Sequence, residues 1–72
     1  MTTQSDTSVR GVVLSWVRGE ADFPGDLYVC TALDDLMRES VICRHRGSYT
    51  RSKQMLDDVE SILAKAREHF DL

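Results

Sequence analysis

Residues 27–46 read LYVCTALDDLMRESVICRHR, and the reading of this stretch decides the fold. Leu27–Leu33 and the run from Leu36 to Arg46 are rich in aliphatic and β-branched side chains, which marks strands. Asp34-Asp35 between them reads as a tight turn, a weaker signal than Asp-Gly. Alternation along the two strands then places Tyr28, Cys30, Ala32, Met37, Val41 and Cys43 on one face of a sheet. Leu27, Val29, Thr31, Leu33, Leu36 and Ile42 fall on the other, with Arg38, Ser40, Arg44 and Arg46. The rival reading is a short helix over Ala32–Glu39, capped by Thr31 with Asp34 three residues on. It shortens the third strand to Ser40–Arg46 and leaves the architecture unchanged.

Upstream, Val9–Arg18 contains a Val-Val pair, Leu14 and Trp16 and reads as a further strand. A loop over 19–26 carries Phe23-Pro24-Gly25-Asp26, with Pro and Gly at the two central positions of a type II turn. Met1–Ser8 is polar and aperiodic and is expected to be a flexible tail. Downstream, Gly47 closes the third strand. Met55, Leu56, Val59, Ile62, Leu63, Ala66 and Phe70 then recur at the spacing of one helical stripe. Ser48, Thr50 and Ser52 are the candidate caps of that helix. Together these elements predict an α+β fold, a three-stranded antiparallel meander followed by one long C-terminal amphipathic helix (βββα), as a single domain over residues 9–72.

A chain of 72 residues has little core to spare. A domain of this size buries roughly 60% of the surface its unfolded chain exposes, so a disulfide, a metal or a partner subunit is the usual support. Two cysteines, Cys30 and Cys43, are too few for a secreted disulfide scaffold. A start without basic residues or an apolar run, and no stretch near the ~20 apolar residues of a membrane span, point to a cytoplasmic protein without a membrane partner. The net charge of −3 is unevenly spread. Residues 41–54 carry Arg44, Arg46, Arg51 and Lys53 and no acid, between two acidic stretches.

Two surfaces follow from this reading. One helix covers one face of a three-stranded sheet and leaves the other apolar face open, which predicts a homodimer or a protein partner. Trp16, Leu27, Val29, Leu36 and Ile42 are the interface candidates. The second surface is the basic segment 44–53, where Arg44, Arg46, Tyr49, Arg51 and Lys53 run from the end of a strand into the start of a helix. Cations, hydroxyls and free backbone N–H groups there suit a phosphate, a nucleic acid or an acidic partner. A strand, Gly47-Ser48, and Ser52-Lys53 leading a long helix resemble in part the second half of a double-stranded-RNA-binding domain. The chain departs from that family in having no helix before the sheet and in matching its basic cluster only at Lys53, so the likeness is not adopted.

No catalytic, cofactor or metal constellation stands out. Cys30 and Cys43 lack zinc-ligand spacing and read as buried structural cysteines. His45 and His69 read as structural, and the adjacent acids Asp34-Asp35 and Asp57-Asp58 cannot converge on one atom as an acid–base pair must. The reading is a non-enzymatic protein-binding or regulatory module acting as a homodimer, of the kind phages and mobile elements use as inhibitors or accessory factors. Nucleic-acid or phosphate-ligand binding through residues 44–53 is the alternative.

Overall fold

In the computed structural model, which describes residues 8–71, the stretch 27–46 is neither hairpin nor strand but almost wholly one helix. Three helices make the fold: α1 (Val9–Val17), α2 (Asp26–His45) and α3 (Tyr49–Phe70). No strand occurs among the described residues, so the βββα expectation is overturned and only its C-terminal helix stands. The rival helix over Ala32–Glu39 was the right kind of element but less than half its length. Met1–Thr7, most of the expected tail, lies outside the described residues. Ser8 instead caps α1, its Oγ accepting from the Gly11 N–H at 3.0 Å.

Helix ends explain the layout. The Gly47 N–H donates to the Arg44 carbonyl at 3.0 Å and the Ser48 N–H to the Cys43 carbonyl at 2.8 Å. This is a Schellman closure of α2, and it requires Gly47 to adopt φ 79°. Gly19, also at φ 79°, closes α1 the same way, with bonds from Gly19 to Trp16 and from Glu20 to Ser15. The expected type II turn at residues 23–26 is not formed. Gly25 has φ 113° and ψ 154°, an extended backbone on the positive-φ side, and stands as the N-cap of α2. Asp26 in the first turn of α2 and Arg44 and His45 in its last suit the helix dipole.

Only Arg46, Gly47 and Ser48 separate α2 from α3, so the two helices fold back as an antiparallel hairpin. Their seam is spaced as in a coiled coil. Val29, Ala32, Leu36, Ser40 and Cys43 are buried along α2, and Ser52, Met55, Val59 and Ile62 along α3, at intervals of three and four. The register is pinned where the buried Ser52 hydroxyl donates to the Ser40 carbonyl at 2.9 Å. The Ser40 hydroxyl donates to the Met37 carbonyl at 2.7 Å, and no buried side-chain polar atom among the described residues lacks a partner.

Helix α1 lies along one flank of this hairpin and contributes Val13 and Trp16 to the core. Leu36, Ile62 and Val13, one from each helix, are the largest fully enclosed side chains. Leu36→Ala is therefore expected to lower the unfolding free energy in urea by roughly 2–5 kcal/mol, the cost of a core cavity. Leu27→Ala, at a side chain 77% exposed, is expected to stay within about 0.5 kcal/mol of the parent. A sheet with Leu27 and Leu36 on one face would give the two substitutions similar costs.

Candidate functional site

The attachment of α1 determines which surface is left over. Arg10 reaches from α1 to Asp35 at 2.6 Å and also to Glu39, both on α2. The hydrogen bond to Asp35 above all, and the one to Glu39, hold the guanidinium pKa above its ordinary value against the opposing effect of partial burial. At the other end of α1, Trp16 is buried edge-on to Phe23 and His69, with Lys65 Nζ 6.0 Å from its ring. Phe23 stacks on His69 at 4.0 Å and meets Phe70 edge-on at 5.6 Å, which ties the loop before α2 to the end of α3.

At about 100° per residue, the contacts of Arg10 and Trp16 lie on one side of the seam, and Phe70 reaches Phe23 around the end of α3. Asp35 and Glu39 flank Leu36 on α2 in the direction opposite to Met37. Lys65 and His69 flank the seam on α3 opposite to Leu56 and Leu63. Helix α1 thus covers one flank of the hairpin and leaves the other uncovered.

That uncovered flank is apolar. Tyr49, Leu56, Leu63 and Phe70 recur at every seventh residue of α3 and are 68%, 41%, 45% and 41% exposed. The single stripe expected of this helix is two adjoining stripes: Met55, Val59 and Ile62 are buried in the seam, with Ala66 packed against the core, while Leu56, Leu63 and Phe70 face outward. Because Ser40 stands level with Ser52, Met37 stands within a residue of the level of Leu56, and Cys30 within a residue of Leu63. Met37 and Cys30 are both exposed on the same flank of α2. Val41 and Ile42, also exposed, extend apolar surface around α2, where with Asp34, Met37 and Arg38 they line a shallow open groove.

The interface candidates from the sequence divide. Leu27 and Ile42 are exposed, whereas Trp16, Val29 and Leu36 are core residues and correct the expectation that they form a contact surface. Cys43 is buried in the seam, but Cys30 is an exposed free thiol, contrary to the reading of both as buried. Leu56, Leu63 and Phe70 were not among the interface candidates. Their spacing of seven was present in the sequence, hidden by adjacency to the seam residues of the same helix.

The basic candidates lie at one end of the hairpin. Arg44 is in the last turn of α2, Arg46 is its C-cap, and Tyr49, Arg51 and Lys53 belong to the start of α3, all exposed at the turn end of the hairpin. No ion pair among the described residues uses any of these four cations. Ser48 is the N-cap of α3 by position but makes no side-chain capping bond. No group of three His, Cys, Asp or Glu side chains among the described residues is placed to hold a metal ion.

Comparison with protein-family models, with curated proteins and with solved structures finds no match for this chain. No helix among the described residues is long and apolar enough to cross a membrane. The placement of Trp16 is open to a direct check. Its emission is expected to be that of a buried indole and to stay so in Leu56→Glu/Leu63→Glu. A red shift in that variant would place Trp16 at the outer surface instead.

Proposed function

We propose that this chain is a non-enzymatic protein-binding module whose contact surface is the uncovered flank of the α2–α3 hairpin. The observation that carries the reading is the run of Tyr49, Leu56, Leu63 and Phe70, four large apolar side chains on one line down the full length of α3, each more than 40% exposed. Single exposed apolar residues are ordinary, but four large ones aligned along one helix and rimmed by charge suit a contact site. Glu60, Arg67 and Glu68 supply that rim along α3. The chemistry suits a partner that offers an apolar helix or groove, as when an amphipathic helix is bound along its length. An inhibitor or accessory factor that acts by docking on another protein is a role in keeping with a surface of this kind.

A photo-crosslinking amino acid placed at Leu63 is expected to give covalent protein adducts in cells, and the same probe at Thr31, on the flank of α2 nearest α1, to give none. Equal yields at the two positions, or none at Leu63, would contradict the reading.

A second reading, anion or nucleic-acid binding, is favoured by four cations at the turn end of the hairpin that form no ion pair among the described residues. Against it stands the net charge of −3, which repels polyanions at a distance. Titration with labelled DNA and RNA at two salt concentrations separates the two. The protein-contact reading expects no salt-steep binding. Tight binding that weakens steeply with salt and is lost in Arg51→Glu/Lys53→Glu would favour the second.

A further inference from the structure

The order of side chains along the uncovered stripe narrows the partner. Read from the start of α3, the stripe runs Tyr49, Leu56, Leu63, Phe70: aromatic, leucine, leucine, aromatic, at equal intervals of seven. It is therefore symmetric about a point midway between Val59 and Glu60. A second α3 laid antiparallel about a two-fold axis at that point meets each side chain with its own kind. Leu56 falls opposite Leu63 of the second copy, and Tyr49 opposite its Phe70. A two-fold interface must be self-complementary in this way, because the same patch serves both subunits. A partner of different sequence has no need of that symmetry.

Taken on the reading of this flank as a protein-contact surface, we infer that its occupant is a second copy of this chain, bound through antiparallel α3–α3 packing with the axis between residues 59 and 60. The seven-residue interval is the one that keeps a stripe facing a neighbouring helix over its whole length. The available area fits as well. A face about 30 Å long and two helices wide, roughly 20 Å, gives a footprint on the order of 600 Å² per copy. Counted over both copies this is about 1,200 Å², the lower edge of the range for stable specific interfaces. Met37 and Cys30 of α2 lie on the same flank and widen the contact beside the central stripe. The two Glu60 side chains come near the axis on the rim, where water and salt screen their repulsion. Phe70 keeps its edge contact with Phe23 and presents its remaining surface to the partner.

Sedimentation equilibrium of the full reduced chain across a hundredfold concentration range tests the inference, joined to distance measurements between nitroxide labels. The parent is expected to sediment as a dimer. Leu56→Glu/Leu63→Glu is expected to sediment as a monomer while keeping a helical far-UV spectrum, which separates lost association from lost folding. In a Cys30→Ser background, labels at Glu60→Cys are expected to give a short distance across the dimer. Labels at Lys53→Cys are expected to be farther apart, by about 20 Å along the helix axis. Equal distances at the two positions would mean parallel packing and would overturn the proposed axis. A dimer that survives Leu56→Glu/Leu63→Glu would overturn the stripe as the interface. A parent that is monomeric throughout would overturn self-association altogether. In that last case adducts at Leu63 with a different protein would still uphold the contact-surface reading, and their absence would remove both.

Discussion

The rest of the structure depends on the register of α2 against α3, and that register is held by two serines. Ser52 donates its hydroxyl to the carbonyl of Ser40 inside the seam, at the end of the hairpin nearest the three-residue turn. Small side chains are needed there because the chain reverses with so few residues that the two backbones must approach closely. A larger residue would push the helices apart, and an unpartnered hydroxyl would leave a buried polar group at a cost of about 1–3 kcal/mol. With Ser40 level with Ser52, the remaining seam follows at intervals of three and four, and Leu36 and Ile62 come to be fully enclosed.

Once the hairpin is set, it has two flanks and the chain supplies one short helix to cover them. Helix α1 has nine residues, held at one end by the Arg10 pair to Asp35 and Glu39 and at the other by Trp16 among Phe23, His69 and Lys65. Part-exposed ion pairs like those of Arg10 contribute only about 0.2–1 kcal/mol each, so the aromatic end carries more of the attachment. The opposite flank keeps Leu56, Leu63 and Met37 in water. For a domain of this size such exposure is a significant fraction of the apolar surface it has to bury. Three helices of these lengths therefore leave this flank open.

Helix α3 was legible in the sequence because its apolar residues from Met55 to Phe70 keep a helical period over about four turns. Helices α1 and α2 were not, for different reasons. In α1, Val9, Val12, Val13 and Val17 have the β-branched side chains that strands favour, and tertiary packing overrode that preference. The Ser8 cap and the Gly19 stop were the helix signals available there. In α2, the seam uses the small Ala32 and the polar Ser40, while Leu27, Met37, Val41 and Ile42 are apolar and exposed. The helical period is blurred, and alternation filled the gap. Asp34-Asp35, read as a turn, is in fact helix surface, with Asp34 paired to Arg38 one turn on and Asp35 to Arg10. Both readings led to an uncovered apolar face, but on different grounds and with different residues: Trp16, Val29 and Leu36 moved into the core, and Leu56, Leu63 and Phe70 took their place outside. The basic cluster of Arg44, Arg46, Tyr49, Arg51 and Lys53 was legible as a group because it is contiguous in sequence around one turn.

The most direct test of this account is the backbone conformation across residues 33–36, measured by NMR from Cα chemical shifts and amide–amide NOEs. A continuous helix from Asp26 to His45 predicts helical shifts and strong sequential amide contacts unbroken through Asp34-Asp35, with the amides of Ala32, Leu36 and Ser40 protected from exchange. Extended shifts on both sides of Asp34-Asp35, with cross-strand contacts joining the two halves, would contradict it, and the seam, the covered flank and the uncovered stripe would all fall together.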